Sequence, residues 1–470
     1  MKRIVVIGGG IAGLAAAHRL TELTKEKSLP LEIILLEATS RLGGPIATER
    51  IGDFLVEAGP DSFITEKPWA IALCERIGLA SRLVSTQAAY QKIAIVHHGK
   101  LVQLPDGFFL LAPTRFWPFI KTPLFSLSGK LRIASELLRP RDGLNDDESL
   151  GSFVRRRFGR EALERVAQPL VGGIYAADPD QLSLHATMPR FKEMERKQRS
   201  VIYAAWKSQN ARNRTAAGSG ARWSLFVTLA GGMQELIDNL ARRLSEGTIR
   251  INSAATELLR ESNQTWRIAI AGKENLIADA VILAAPAFRA GQLLESVAAD
   301  AAAELKSIPY ASTATVHLAY RREDFPRAPD SFGFVVPAIE RRKIMACTFS
   351  SLKYPFRAPA GWVLLRAFIG GSLQPELFDE EEERMIGNTR AEMKSLLGVT
   401  AAPQFCRVWR HPQSMPQYRV GHEARIQRIE STLSRFSSLA LAGSAYHGVG
   451  ISDCVRTGED AAETIIQRFS

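Results

Sequence analysis

The feature that most restricts this chain is a short apolar run, "RIVVIG" at 3–8, that breaks into glycines and then into helix formers. Gly8, Gly10 and Gly13 spell G-x-G-x-x-G, and "GLAAAHRLTELTKEK" follows. Between a strand and a helix, the first glycine permits the turn and the second lets the backbone approach a pyrophosphate. The third lets helix and strand pack closely. Pro30 ends the connection and "LEIILLEA" supplies a second buried strand, completing a βαβ unit. Glu37 closes that strand, 24 residues beyond Gly13, where an acidic side chain accepts hydrogen bonds from a ribose. Ile11 and Ala12 lie inside the same turn and belong to the cradle. The fold class that follows is α/β, opened by a Rossmann-like dinucleotide-binding domain.

More glycines follow close behind. Arg41, Gly43 and Gly44 come just after Glu37, and "EAGPDSF" at 57–63 places Gly59 and Pro60. A chain that keeps tracking its ligand this far suits FAD better than a nicotinamide cofactor. A second cluster, Gly443, Gly448 and Gly450 in "GSAYHGVGISDC", stands near the other end of the sequence. By itself it reads equally as a second approach to one ligand or as ordinary turns.

Composition narrows the function classes. The 470 residues suffice for two or three domains, and the balance of 46% hydrophobic to 23% charged residues is that of a globular protein. Cys74, Cys347, Cys406 and Cys454 are scattered without a C-x-x-C pair, and His97-His98 is the one close histidine pair, so neither a disulfide framework nor a metal site is expected. No long uncharged apolar run or signal-peptide pattern appears, and a cytoplasmic protein is expected. A net charge of +11 fits nucleic acid, an anionic surface or an acidic small substrate. Residues 190–222 hold nine Lys/Arg against two Asp/Glu, which reads as a solvated, mobile insertion. "FVRRRFGRE" at 153–161 reads as a charged helix face. Between Phe108 and Phe125 lie six of the 37 aromatics, interrupted by prolines and charges. That stretch is too broken to span a bilayer, and suits either a headgroup-dipping surface or a core segment.

Taken together, "GGGIAGLAAA", "RLGG", "EAGPDSF", "GGMQEL", "PQYRVGH" and "LALAGSAYHGVGISDCVRTGEDAA" resemble the FAD-dependent protoporphyrinogen/coproporphyrinogen oxidases, relatives of the monoamine oxidases and phytoene desaturases. "LVGGIYAADPDQLS", "FGFVVP" and "PQYRVGH" are the stretches most specific to the porphyrinogen branch. The resemblance implies FAD bound by the residues above together with Ala255, Gly443, Gly448, Gly450 and Ile451. It implies a substrate cavity lined by Leu170, Gly173, Phe332, Val335, Thr348 and Phe368. Where many members place an arginine for a substrate propionate this chain has none; Lys92 is the nearest cation by register, with His97 and Lys100 behind it.

The implied reaction removes six hydrogens from a porphyrinogen, passing hydride to the flavin and then electrons to O2, with H2O2 formed. No catalytic side chain, metal or nucleic acid is called for; a homodimer and a peripheral membrane surface belong to the same expectation. An amine or polyene oxidase on the same scaffold is the alternative. The expected domains are 1–87, 225–305 and 405–470 for FAD, 88–107 and 306–404 for substrate, and a mainly helical, membrane-facing 108–224. In the first of these, "SLALAG" would enter the same sheet as "RIVVIG", and the positive end of the helix from Ile451 would face the flavin ring.

Overall fold

The computed structural model describes residues 1–109, 112–140, 147–216 and 224–469, so the predicted features at 110–111 and 217–223 lie outside the described residues. A five-stranded parallel sheet runs in the order Ile249–Arg250, Leu31–Leu36, Lys2–Ile7, Ala280–Leu283, Leu439–Leu441. Its central strands carry apolar runs, "IVVI" at 4–7 and "AVIL" at 280–283, because both faces are covered. Ile4 and Val6 point into a core shared with the helices Ile11–Glu26 and Ile451–Ile466, whereas Val5 and Ile7 point into one built with Trp266, Ala287 and Leu305. The two helices approach so closely that a Cβ on Gly458 would fall 2.2 Å from the Ala12 carbonyl. First and last segments of the sequence are thus neighbours in space.

A second, seven-stranded sheet has the order Cys406–Pro416, Tyr310–Arg321, Trp362–Gly370, Ala346–Phe349, Gly333–Val335, Ile93–His97, Lys100–Gln103. One face packs on the helix Glu382–Leu397 through Met385 and Met393. The strand Cys406–Pro416 pairs with Tyr310–Arg321, so the expected cofactor segment 405–470 begins with an edge strand of the other sheet. Pairing across about a hundred residues decides this, and strand periodicity carries no record of partner choice.

The helices Phe116–Lys121, Leu127–Ala134, Leu150–Arg157, Gln168–Tyr175, Pro189–Gln198 and Val201–Ala216 build a separate core that also takes in Ile95 of the second sheet. The expected mobile insertion at 190–222 is, over its described part, two helices anchored by the buried Phe191, Val201 and Ala205. Nor is 153–161 simply a solvated face. Arg157 is 0% exposed and pairs with the equally buried Glu136, and Arg156 reaches both Glu148 and Glu195. Buried charges persist only when paired and hydrogen-bonded, and Glu136 further accepts from the Val201 N–H and the Ser200 hydroxyl. The stretch 108–125 divides: Phe119, Leu124 and Phe125 enter the core, while Phe116 and Trp117 are each 69% exposed.

Candidate active site

The N-terminal glycines make a cradle from backbone. Gly8 has φ +119, and a Cβ there would lie 2.6 Å from the Ala284 carbonyl oxygen; one on Gly13 would lie 1.9 Å from that of Gly8. Gly10, by contrast, faces open space and caps Ile11–Glu26 without any side-chain bond. The first-turn N–H groups at Ile11 and Ala12 are therefore left for an anionic ligand, on the positive end of the helix dipole. The Glu37 carboxylate closes the rim and accepts the N–H groups of Gly9 and Thr39, each at 2.8 Å.

Neighbouring loops extend this cradle. The Gly43 N–H donates to the Gly9 carbonyl at 2.8 Å, which docks the second glycine pair onto the first, with Gly44 against Gly10. Arg41 turns back onto the carbonyls of Leu42, Gly44 and Ile46, so its first role is to hold that turn. Gly59 packs where a Cβ would fall 1.8 Å from the Pro45 carbonyl, and the half-buried Pro60 follows. On the Glu37 side, the Ser253 and Asn252 N–H groups donate to the Glu37 and Thr39 carbonyls, bringing Ala255 alongside.

The far glycines arrive next to the same place through Leu439–Leu441, which pairs with Ala280–Leu283. Gly443 has open space where a Cβ would stand, and Gly450 caps Ile451–Ile466 with no side-chain bond. Gly448, at φ +128, lies where a Cβ would be 2.3 Å from the Asp453 carboxyl. The sequence reading overlooked Asp453. Its buried carboxylate stands in the first turn of the helix and is paired with Lys67 at 2.7 Å, so the helix end meant to offer bare positive charge already holds an ion pair. An acidic residue three positions beyond a helix-capping glycine was the available signal.

The second sheet supplies a wall. Register sets Gly333 opposite Thr348, Thr348 opposite Arg366, Val335 opposite Ala346, and Ala346 opposite Phe368. Thr348 and Phe368 are half-exposed, whereas the alternate residues Cys347 and Ala367 are buried in the core beneath. Phe332 precedes its strand and is also half-exposed; its N–H donates to the Lys92 carbonyl at 2.9 Å. The wall is completed by Gln168–Tyr175, where Gly173 comes within 3.7 Å of Val335 (measured from an added Cβ) and Leu170 is buried. Leu163–Ala167 forms a π-turn just ahead of this helix, a feature common beside functional sites. Lys92 is exposed, one residue ahead of the strand Ile93–His97. His97 and Lys100 lie further along, in the hairpin beyond.

A cation missed by the sequence reading lies in the wall itself. Arg366 is 5% exposed, donates to the Gly59 carbonyl at 2.5 Å and stacks its guanidinium 4.6 Å from the Phe368 ring centre. It joins the sheet to the glycine loop, as Thr315 does through the Ala58 carbonyl. Burial would raise the Asp61 carboxyl, but Lys353 at 2.9 Å, Arg366 and the Ser62 hydroxyl hold it well below the usual carboxylate range. Burial pushes Glu57 up to about 7 against the opposing pull of Arg357, Thr48 and the Met233 N–H. His317, 1% exposed with neither ring nitrogen hydrogen-bonded, is kept neutral by burial and by Arg366 and His411. Among the described residues no group of His, Cys, Asp and Glu could hold a metal ion.

Residues 11–466 match the model of the flavin containing amine oxidoreductases. The coproporphyrinogen III oxidase of Bacillus subtilis (strain 168) is 36% identical over 464 residues, covering 98% of this chain and 97% of that one. That of Staphylococcus aureus (strain NCTC 8325 / PS 47) is 32% identical over 471 residues, covering 99% of each. A crystal structure from Exiguobacterium sp. 255-15 shares 33% identity, with a TM-score of 0.87 over 99% of both chains.

The chain belongs to the FAD-dependent porphyrinogen oxidase family. The open faces at Gly10 and Gly443, the uncapped helix start and the Glu37 carboxylate fit its cofactor, FAD.

Proposed function

We propose that this protein oxidises coproporphyrinogen III to coproporphyrin III in haem biosynthesis. FAD, when bound, supplies the acceptor for hydride from a methylene bridge of the macrocycle. The half-exposed apolar wall of Phe332, Val335 and Phe368 receives the flat ring and keeps water from its face. Lys92, beside Phe332, meets a substrate carboxylate. Arg366 holds the wall to the loop that carries Gly59 and Pro60, so substrate and cofactor are presented to each other from one rigid joint. No side chain is assigned as a base; each hydride is matched by one pyrrole proton released to solvent, and a proton is taken up again when O2 is reduced to H2O2. Three rounds remove the six hydrogens, and O2 accepts the electrons as H2O2.

The observation that carries this reading is the single sheet face that holds Thr348, Arg366 and Phe368 and is tied by Arg366 to Gly59. The identity to coproporphyrinogen III oxidases over nearly the whole chain supports the choice of substrate. H2O2 production measured with coproporphyrinogen III, protoporphyrinogen IX and a primary amine decides it. The highest kcat/KM with coproporphyrinogen III is expected. A preference for protoporphyrinogen IX corrects the substrate, and turnover of the amine alone overturns the reading.

Peripheral membrane contact is part of the same proposal. Among the described residues no helix is long and apolar enough to cross a membrane. Phe116, Trp117, Leu127, Leu131 and Leu138 are exposed, with Arg115, Lys121 and Lys130 in the same stretch. Apolar side chains ringed by cations suit an anionic lipid surface. Co-sedimentation with anionic vesicles is expected, and its absence removes this part alone.

A further inference from the structure

"PQYRVGH" is the family stretch that the proposed reaction leaves without a task. In the structure, Gln417 and Tyr418 follow directly on the edge strand Cys406–Pro416 and are both buried. Their side chains reach two different parts of the site. The Gln417 Nε2 donates to the carbonyl of Tyr175, the last residue of the helix that carries Leu170 and Gly173, at 3.1 Å, and also to that of Met415. Its Oε1 accepts from the Ser372 hydroxyl at 3.0 Å. The Tyr418 hydroxyl donates to the Ser444 carbonyl at 2.6 Å and accepts the Gly448 N–H at 2.8 Å.

One phenol oxygen therefore bridges both ends of the loop between Gly443 and Gly450. Loops with φ > 0 glycines are conformationally permissive, and a brace across them removes the freedom that the glycines introduce. The phenol itself is fixed from beneath. His422 stacks on it with ring centres 3.9 Å apart and an interplanar angle of 12°, and the His422 Nε2 lies 3.2 Å from the Tyr446 carbonyl, inside the same loop. On the other side, the Tyr418 carbonyl accepts the Ser183 N–H at 2.7 Å.

We propose that Gln417 and Tyr418 are positioning residues that set the distance between the substrate wall and the flavin loop: Gln417 holds the wall helix at its end, and Tyr418 holds the loop. The proposal rests on the assignment of 443–451 to the cofactor site. Neither side chain touches the reacting atoms; together they convert one short segment into a gauge between two elements that are far apart in sequence.

The test uses the full-length holoenzyme and its apoprotein. Tyr418→Phe, which deletes one oxygen and with it both bonds to the loop, should weaken FAD binding by at least about tenfold. It should also alter the visible circular dichroism of the bound flavin, and lower the melting temperature of the holoenzyme by more than that of the apoprotein. Gln417→Met should leave FAD affinity unchanged and slow anaerobic single-turnover reduction of the flavin by coproporphyrinogen III. Wild-type FAD affinity and dichroism in Tyr418→Phe overturn the proposal, as does a drop in apoprotein melting temperature that accounts for the whole effect. Gly450→Leu separates the two levels. If it retains FAD like wild type, the loop assignment itself is wrong; if it loses FAD while Tyr418→Phe does not, the brace alone fails.

Discussion

Between Gly8 and Gly44 the protein offers a ligand its backbone; between Phe332 and Phe368 it offers side chains. The first region is built from sequence neighbours, with three glycines and one carboxylate inside a single βαβ unit, and its tolerance is set by contacts as short as the Gly13–Gly8 approach. The second is assembled from strands that meet by long-range pairing, and it is stiffened by charge, with the buried Arg366 and the half-buried pair Asp61–Lys353 tying the wall to the glycine loop. A backbone cradle fixes the cofactor by shape and partial charge. A side-chain wall can be altered one residue at a time, which is how one scaffold serves different substrates.

The largest effect should follow from adding bulk to the first region. Gly13→Val places carbon against the Gly8 carbonyl, and purified protein should contain no FAD; a flavin absorbance equal to wild type would show that the cradle yields where its geometry says it cannot. A methyl at the open-faced Gly10 meets no protein atom, so Gly10→Ala should fold normally and lose affinity only through the ligand. Melting the two apoproteins side by side checks this.

Next comes removal of charge from the second region. Lys353→Met leaves the half-buried Asp61 carboxylate with Arg366 nearby, and breaking a pair of that exposure costs between the roughly 1 kcal/mol of a surface pair and the roughly 3–5 kcal/mol of a fully buried one. The sign with pH is fixed. A carboxyl held below its usual range contributes stability that is present above that range and is lost as pH falls through it. The gap between wild type and Lys353→Met should therefore be widest near neutrality and narrow in acid. Denaturant titrations at several pH values measure it, and a gap that widens in acid would assign the stabilisation to another group.

How much of this was legible depended on the range of the interaction. Gly8, Gly10, Gly13 and Glu37 could be read because a strand, a turn and a helix in immediate succession leave few alternatives. The far glycines could be read only once their strand was given a place in the first sheet. Arg366 could not be found, since an arginine inside "WVLLRAFIG" carries no sign of facing Gly59, more than 300 residues earlier. Lys92 was chosen for its register and is an exposed residue, whereas the buried cation of the wall is another residue. Charge counts misled in the helical region for the same reason: the cations at 190–199 and 155–157 look solvated until Glu136, Glu148 and Glu195 are seen beside them.

A smaller effect sharpens the contrast from the cofactor side. Glu37→Gln keeps the shape but weakens three charge-assisted bonds, from the Gly9 and Thr39 N–H groups and the Thr39 hydroxyl, and any ribose contact. FAD affinity should fall about tenfold, in line with the roughly 1.5–3 kcal/mol of a hydrogen bond to a charged group, with little change in the reduction rate of the bound flavin. Flavin fluorescence titration measures the first quantity and stopped-flow absorbance the second. A slowed reduction at unchanged affinity would move Glu37 out of the cradle.

The most direct test of the central claim is an anaerobic mixture of the holoenzyme with coproporphyrinogen III, followed at the oxidised-flavin band at roughly 450 nm. The band should bleach within a single turnover and coproporphyrin should appear in step with it. A flavin that stays oxidised while the porphyrinogen is bound would contradict the account.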